Sequence, residues 1–310
     1  MIPVVLLIVL ISFLLIHLAP GDPALVFAGP NADQAYVDQL RRELGLDQSL
    51  WVQLIDYLSK LSRGDLGQSM SYPGSVWSVI ASRIPATLLL VLSSQVIGLV
   101  VGTVVGTLVA RRQGSARDNV VSTIALVLYS IPVFWSGLVL ILVFAVTLGI
   151  LPASGMHSAF GSSGGFGGVI DTLKHLVLPV TALSLSFTIP TYLRIARASV
   201  ISIEGEDFIT TARSKGLNET TILFRHVLRN ALLPIVTMGG MYIGLSLSGA
   251  VLTETVFSWP GIGQLTYQVI FSRDYPTLLG VFLVSSIGVV VVTLLTDMLY
   301  GAIDPRVSHR

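Results

Sequence analysis

Long apolar runs alternate with short polar connections along this chain of 310 residues. Each run approaches or exceeds the roughly 20 residues that an α-helix needs to cross a bilayer. The pattern predicts an all-α polytopic membrane protein with about six transmembrane helices, which places both termini on the same side. The predicted spans are 2–19, 85–110, 119–149, 176–200, 234–256 and 277–303.

The third run is too long for one straight helix, and it contains Pro132. A proline inside a helix removes a backbone donor and clashes with the preceding turn, so the run is expected to kink or split here. The sequence leaves open whether 119–149 is one kinked helix or two elements.

Basic residues in the connections predict the orientation. Three arginines lie in 111–118, and six basic residues lie in 194–230. Short connections rich in Lys and Arg stay on the cytoplasmic side, so both segments and the tail 304–310 are predicted to be cytoplasmic. The opposite, extracytoplasmic side receives the long region 20–84 and the loops 150–175 and 257–276.

Composition narrows the function classes. Hydrophobic residues make up 53% of the chain, mean hydropathy is +0.81, and the net charge is +1, which predicts a lipid bilayer as the main partner and disfavours nucleic acid. The chain has no cysteine, so disulfides, thiolate metal sites and a cysteine nucleophile are excluded. We expect no catalytic residues and no metal site.

Three glycines at four-residue spacing, Gly98, Gly102 and Gly106, lie on one face of the second predicted span. Such a face lets another helix approach closely. The partner helix could belong to this chain or to another, and glycine is in any case common in membrane helices.

The polar segment 203–232 separates two apolar runs and predicts a helix, a tight turn and a second helix. Gly216 can adopt the left-handed conformation that ends a helix, and Asn218 can cap the next one. The second helix has two faces, which favours either a position on the lipid surface or docking into a groove of a cytoplasmic protein. The predicted apolar face comprises Leu223, Phe224, Val227, Leu228, Ala231 and Leu232.

The stretch "EDFITTARSKGLNETTILFRHVLRNALLP" resembles the coupling motif of ABC importer permeases, specifically the binding-protein-dependent dipeptide, oligopeptide and nickel branch. Thr211 replaces the first alanine of the usual pair. The long interval between the glycine and the following histidine, Arg-Asn pair and proline is typical of this branch. By resemblance, the ATPase-coupling residues are Glu206, Asp207, Ala212, Lys215, Gly216, His226, Arg229, Asn230 and Pro234.

Other segments resemble the same family, including "HLAPGDPA", "GDLG" and "TETVFSWPGIGQLTYQVIFSRDYP". The last contains a rigid turn and an amphipathic helix too short to cross a membrane. It is either a pore-mouth loop that contacts substrate or binding protein, or a structural plug between the last two spans. The candidate pore-mouth residues are Trp259, Pro260, Gly261, Gly263, Gln264, Gln268, Arg273, Asp274 and Tyr275.

The resemblance implies the transmembrane domain of a type I ABC importer in the bacterial cytoplasmic (inner) membrane. It further implies a second homologous permease subunit, two cytoplasmic ATPases that bind ATP and Mg, and an extracytoplasmic binding protein. The substrate would be peptide-like, with glutathione or a nickel complex as alternatives. No G-x-x-x-x-G-K-[ST] motif occurs in the chain, which indicates that nucleotide is bound by other subunits and that no cofactor is held here.

Two other classes fit the pattern less well. A secondary transporter typically carries carboxylates near the bilayer midplane, whereas Glu254 and Asp297 lie near the ends of their apolar runs. An intramembrane hydrolase needs a nucleophile and a base within the spans, but the five histidines lie at span ends or in loops. The sequence therefore favours a non-catalytic transport subunit.

Overall fold

The computed structural model of the chain describes residues 6–11, 13–14, 23–29, 32–43, 45–158 and 165–303. Most of the first predicted span, 2–19, and the tail 304–310 lie outside these residues. Helices account for nearly all of the regular structure that is described. Residues 6–11 and 13–14 are helical. Three short helices follow them: α1 (Pro23–Ala28), α2 (Gln34–Glu43) and α3 (Leu50–Ser62).

Eight further helices follow. They are α4 (Val76–Ala110), α5 (Ala116–Ser130), α6 (Val133–Thr147), α7 (Gly165–Glu204), α8 (Asp207–Ser214), α9 (219–256), α10 (Ile262–Phe271) and α11 (Tyr275–Ile303). Four of them each carry one π-helical turn, at Gly98–Gly102, Ile141–Thr147, Ser184–Thr188 and Ile222–Val227.

Among the described residues, four helices are long and apolar enough to cross a membrane, namely α4, α7, α9 and α11. The pair α5 and α6 makes a fifth candidate span, bent by 95°. The predicted span 119–149 is therefore two helices. Ile131 is extended (φ −78°, ψ 124°), as expected for a residue before proline, and Pro132 is the residue from which α6 starts.

The helices are longer than the predicted spans. Helix α4 begins at Val76 rather than at 85, and α7 begins at Gly165, inside the segment 150–175 predicted as an exterior loop. Helix α9 runs without a break through Pro234, where the sequence suggested a boundary between segment 203–232 and the span 234–256. Hydropathy detects only the part of a helix that is apolar, so polar helical extensions escape it.

The described residues divide into two compact units, one formed by those within 1–85 and 264–290 and the other by those within 86–263 and 291–303. In the second unit, α7 is the central helix. An apolar stretch of 18 residues in α7 is 72% buried, whereas the corresponding stretches of the other spanning helices are 33% buried or less. Helix α7 packs against α4, α5 and α9. A helix surrounded in this way can transmit a displacement to all of its neighbours.

Candidate functional site

The segment between α7 and α9 forms the predicted helix–turn–helix. Helix α8 ends before Gly216, which has φ +79°, the left-handed region that glycine adopts without steric cost. The Asn218 side chain then accepts a hydrogen bond from the Thr221 backbone N–H at 2.7 Å and caps the start of α9. The turn is thus fixed by the two residues that the sequence indicates.

One side of this segment packs onto the membrane helices. Ile209 and Ala212 of α8 are buried, as are Ile222, Leu223 and Val227 of α9, in a cluster that also includes three residues of α7. The buried α7 residues of the cluster are Tyr192, Ala196 and Val200. Burial of this face holds α8 against the end of the central helix.

The exposed side carries most of the predicted coupling residues. Glu206, Asp207, Lys215, Gly216, Arg229, Asn230 and Pro234 are exposed, His226 is half-buried, and Ala212 is buried. Three large apolar side chains accompany them: Phe208, Leu217 and Phe224 are 43%, 39% and 64% exposed. A polar surface that also exposes aromatic side chains is typical of a protein-binding site.

The predicted apolar face of α9 is only partly correct. Leu223, Val227 and Ala231 are buried, but Phe224 and Leu232 are exposed. The π-helical turn Ile222–Val227 inserts an additional residue into the helical repeat. A helical wheel with 3.6 residues per turn therefore misplaces side chains such as Phe224.

An ion pair crosses the turn. Arg213 Nε donates to Glu219 Oε1 at 2.9 Å, and both side chains are about half exposed. The hydrogen bond to this carboxylate raises the pKa of Arg213 above its usual value. Because the pair is exposed, solvent screens it and its contribution to stability is small.

The glycine face of α4 lies against α7 of the same chain. A Cβ atom at Gly102 would lie 2.7 Å from Tyr192 Cβ and 2.8 Å from the Ile189 carbonyl oxygen. One at Gly106 would lie 2.5 Å from the Leu193 carbonyl oxygen, and one at Gly98 would overlap Thr188. These glycines allow the two helix backbones to touch.

Sequence reasoning missed an ion pair that joins α5 to α7. Arg197 donates from Nε to Asp118 Oδ1 at 2.6 Å and from its terminal nitrogen to Oδ2 at 2.7 Å. The Asp118 carboxylate is fully buried and also accepts from the Gly114 N–H at 2.9 Å. The available signal was the S-x-x-D pattern, in which Ser115 caps α5 and Asp118 follows three residues later.

A buried polar chain links three spanning helices, and it too was not predicted. The Tyr192 hydroxyl donates to Gln95 Oε1 at 2.9 Å, and Gln95 Nε2 donates to Ser246 Oγ at 2.6 Å. A cavity of about 220 Å³ lies beside Gln95 and Tyr192. A single polar residue changes the mean hydropathy of a long apolar run only slightly, so the pattern does not reveal this chain.

In the second unit, the "SWPGIG" turn is organised by Glu254. This buried carboxylate accepts hydrogen bonds from the Thr87 hydroxyl and from the Gly263 N–H, both at 2.7 Å, and leaves no room for a side chain at Gly261. Trp259 is fully buried, and its Nε1 donates to the Ala86 carbonyl at 2.8 Å. The geometry around these residues is that of a structural anchor.

In the first unit, the buried side chain of Asp274 joins the segment 69–71 to the start of α11. Its carboxylate is buried and accepts hydrogen bonds from the Ser71 N–H at 3.0 Å and from the Thr277 N–H at 3.1 Å, which caps α11. The Tyr72 hydroxyl donates to Gln268 Oε1 at 2.7 Å. Gln268 is exposed and Gln264 is half-buried, while the neighbouring Arg273 is exposed with φ +55°.

The last residues to consider are two of the predicted pore-mouth loop and one carboxylate near the end of α11. Pro260 and Tyr275 are half-buried, and the Asp297 side chain lies outside the described residues. Within the ranges that the structure describes, no three His, Asp or Glu side chains converge on a possible metal position.

Comparison with known proteins identifies the family. Residues 102–309 match the family model of the binding-protein-dependent transport system inner membrane component, and residues 1–91 match the N-terminal model of such membrane components. The chain belongs to this family of permease components. It is accordingly a multi-pass inner membrane protein, and the family role is that of a permease subunit.

Full-length relatives share more than a third of their residues with the chain. The di/tripeptide transport system permease protein DppB of Pseudomonas aeruginosa is 38% identical over 97% of this chain and 94% of its own length. The glutathione transport system permease protein GsiC of Escherichia coli K12 is 37% identical over 100% of this chain and 96% of its own length.

The fold is also found among solved structures. A chain of the inward-facing MetNI methionine ABC transporter matches with a TM-score of 0.59 and 19% identity, over 74% of this chain and 97% of that chain. The predicted fold, the transmembrane domain of a type I ABC importer, is thereby confirmed, and the family predicted by resemblance is confirmed by the relatives.

Proposed function

We propose that the chain is one permease subunit of an ATP-driven importer and forms half of a pathway for peptides. An extracytoplasmic binding protein delivers the peptide, a second homologous permease completes the pathway, and two cytoplasmic ATPases drive it. Both termini lie on the cytoplasmic side. Glutathione and nickel complexes are the alternative substrates, and the similarity to GsiC favours glutathione among them.

The geometry of segment 203–232 carries the proposal. Helix α8 is exposed on one side, buried on the other, and followed by the turn at Gly216. It connects α7 to α9, and each of these helices continues without interruption into the membrane span. A protein that pushes on α8 therefore displaces two spans together, which is what coupling to an external ATPase requires.

The absence of a phosphate-binding motif from the sequence fits the same division of labour, because energy must then come from other subunits. A secondary transporter would instead use ion-binding carboxylates in the spans. Two buried carboxylates on candidate spans, Glu254 and Asp118, are instead bonded to groups of the protein itself.

The test is uptake into proteoliposomes that contain the chain together with its sister permease and ATPases. We expect uptake of a labelled dipeptide that requires both the binding protein and internal ATP. Unlabelled dipeptide should compete better than glutathione. Uptake by the chain alone, driven by a proton or sodium gradient, would overturn the proposal, whereas better competition by glutathione would change only the substrate.

A further inference from the structure

The turn between α4 and α5 concentrates positive charge. Arg111, Arg112 and Arg117 all line one open cavity of about 830 Å³ between these two helices. This volume lies within the range of about 300–1,000 Å³ that is typical of ligand sites. The positive end of the α5 helix dipole points to the same place, because Ala116, the first residue of α5, also lines the cavity.

Hydrogen bonds fix the backbone that presents these arginines. The Arg112 N–H donates to the Val109 carbonyl at 3.1 Å, and the Ser115 N–H donates to the Arg112 carbonyl at 3.0 Å. The Gly114 N–H donates to the buried Asp118 carboxylate, and Gly114 itself has φ +76°. The cluster is therefore held in place by the fold rather than assembled by chance from a loose loop.

The Arg111 guanidinium interacts electrostatically with the Glu219 carboxylate, which is itself paired with Arg213. Within the described part of the chain, no carboxylate lies within ion-pair distance of Arg111, Arg112 or Arg117. The two nearby carboxylates are already bonded elsewhere, Asp118 to Arg197 and Glu219 to Arg213. Three exposed arginines around one cavity call for an anionic ligand.

The rest of the cavity is apolar. Val105, Leu108, Val109, Val120 and Val121 complete its lining. Leu108 and Val120 are 60% and 57% exposed. Apolar walls offer no hydrogen bonds to a small inorganic ion, whereas they can pack against an acyl chain.

Exposed apolar side chains continue from the cavity along both helices. Val104 lies one turn before Leu108 and is 53% exposed, and Ile124 lies one turn after Val120 and is 52% exposed. Residues four positions apart share a helix face, so each helix carries an apolar track that leads away from the arginines into the span.

We propose that this cavity binds an anionic phospholipid, with the phosphate headgroup on Arg111, Arg112 and Arg117 and the acyl chains along the Leu108 and Val120 tracks. Charge and shape favour lipid over a protein partner, because the apolar tracks lie on membrane-spanning helices and the arginines lie where these helices leave the bilayer. Basic pockets between spanning helices are suited to headgroups that carry two phosphates, such as that of cardiolipin.

The test uses the assembled permease complex in detergent, with bound lipid counted by native mass spectrometry. The probes are cardiolipin, phosphatidylglycerol and phosphatidylcholine. We expect the wild type to prefer the two anionic lipids. The double variant Arg111→Gln/Arg112→Gln should lower their affinity about 25-fold, since each basic residue at an anionic surface contributes about fivefold.

Two further variants separate this site from general effects. The double variant Arg42→Gln/Arg63→Gln removes the same charge from the predicted exterior region and should leave lipid binding unchanged. The double variant Arg111→Lys/Arg112→Lys keeps the charge and should retain most of the preference, which guards against a loss caused by misfolding.

Three results would overturn the proposal. The first is unchanged anionic lipid binding in a folded Arg111→Gln/Arg112→Gln complex. The second is displacement of cardiolipin by millimolar inorganic phosphate, which would indicate a site for free anions. The third is loss of the ATPase subunits from that variant with lipid binding intact, which would make the arginines a protein contact.

Discussion

The contact between α4 and α7 provides a quantitative test of the fold. Replacing Gly102 by Ala adds a single methyl group on the face where the two backbones touch. That methyl carbon would lie 2.7 Å from Tyr192 Cβ, 2.8 Å from the Ile189 carbonyl oxygen and 2.9 Å from the Leu193 nitrogen. Each of these distances is shorter than the 3.4 Å at which ordinary contact begins.

Two of the three atoms belong to the α7 backbone and cannot rotate away, so the helices must separate. Overpacking of this kind costs about 1–3 kcal/mol in a well-packed core. We expect Gly102→Ala to lower the free energy of unfolding by this amount, and Gly102→Leu to lower it further. The separation of the helices also weakens the neighbouring contacts of α4 with α7, at Gly98 and Gly106.

The matched control is Gly288→Ala in α11. An added Cβ meets nothing within 4 Å there, so the substitution should only gain helix propensity, at most about 1 kcal/mol. Unfolding is followed in mixed micelles as the SDS fraction rises, and the amount of folded protein is checked by size-exclusion chromatography. If Gly102→Ala unfolds at the same SDS fraction as the wild type, the close approach of α4 and α7 is refuted.

Three further predictions concern the other sites. Gly216→Val should abolish ATP-driven uptake without reducing insertion, because valine disfavours the Gly216 φ of +79°. The control Gly205→Ala should transport normally, because alanine readily adopts the Gly205 φ of −81°. Normal uptake by Gly216→Val would contradict the coupling role. Glu254→Gln should destabilise the subunit by about 1–3 kcal/mol, measured in the same SDS titration, because an amide NH₂ group would then face one of two hydrogen-bond donors. The variant Gln268→Cys, at an exposed position, should react with impermeant thiol reagents faster than Gln264→Cys, at a half-buried position. Docked binding protein should slow the reaction of the Gln268→Cys variant. If the binding protein has no effect on labelling, the loop 257–276 has only a structural role.

Local signals in the sequence predicted local structure well. Pro132 marked the break in the third span because a proline restricts both its own backbone and that of the residue before it. Gly216 and Asn218 marked the turn because few other residues fit a left-handed position or cap a helix so readily. In each case the cause lies within a few residues of the effect.

For charged residues whose partners are far away in the sequence, the sequence indicated an unusual position but not the structural role. Glu254 was recognisable as a costly charge at the end of an apolar run, but its donor Thr87 is 167 positions away in the chain. The sequence could not say that this carboxylate anchors the "SWPGIG" turn. Likewise, Asp118 is the last residue of the predicted connection 111–118, and only the fold brings Arg197 against it.

Periodicity failed where the helix itself is irregular. Phe224 was assigned to the buried face of α9 on the assumption of 3.6 residues per turn, yet it is 64% exposed because the π-helical turn Ile222–Val227 changes the register. The error has a consequence for function, since it hid an aromatic side chain beside α8. An exposed aromatic residue at that position is typical of a protein interface.

The Asp118–Arg197 ion pair extends the proposed coupling beyond the two helices that α8 joins directly. Arg197 lies on α7, a short distance along the helix from the start of α8, and its bidentate contact holds the first turn of α5. A buried carboxylate that loses its only described ion-pair partner is strongly destabilised, so α5 must follow α7 when α7 moves. A displacement of α8 is therefore expected to reach α7 and α9 through the short connections at its two ends, α4 through its close packing on α7, and α5 through the ion pair. The arginine-lined cavity borders the same turn, so lipid bound there would contact an element that the proposed coupling displaces.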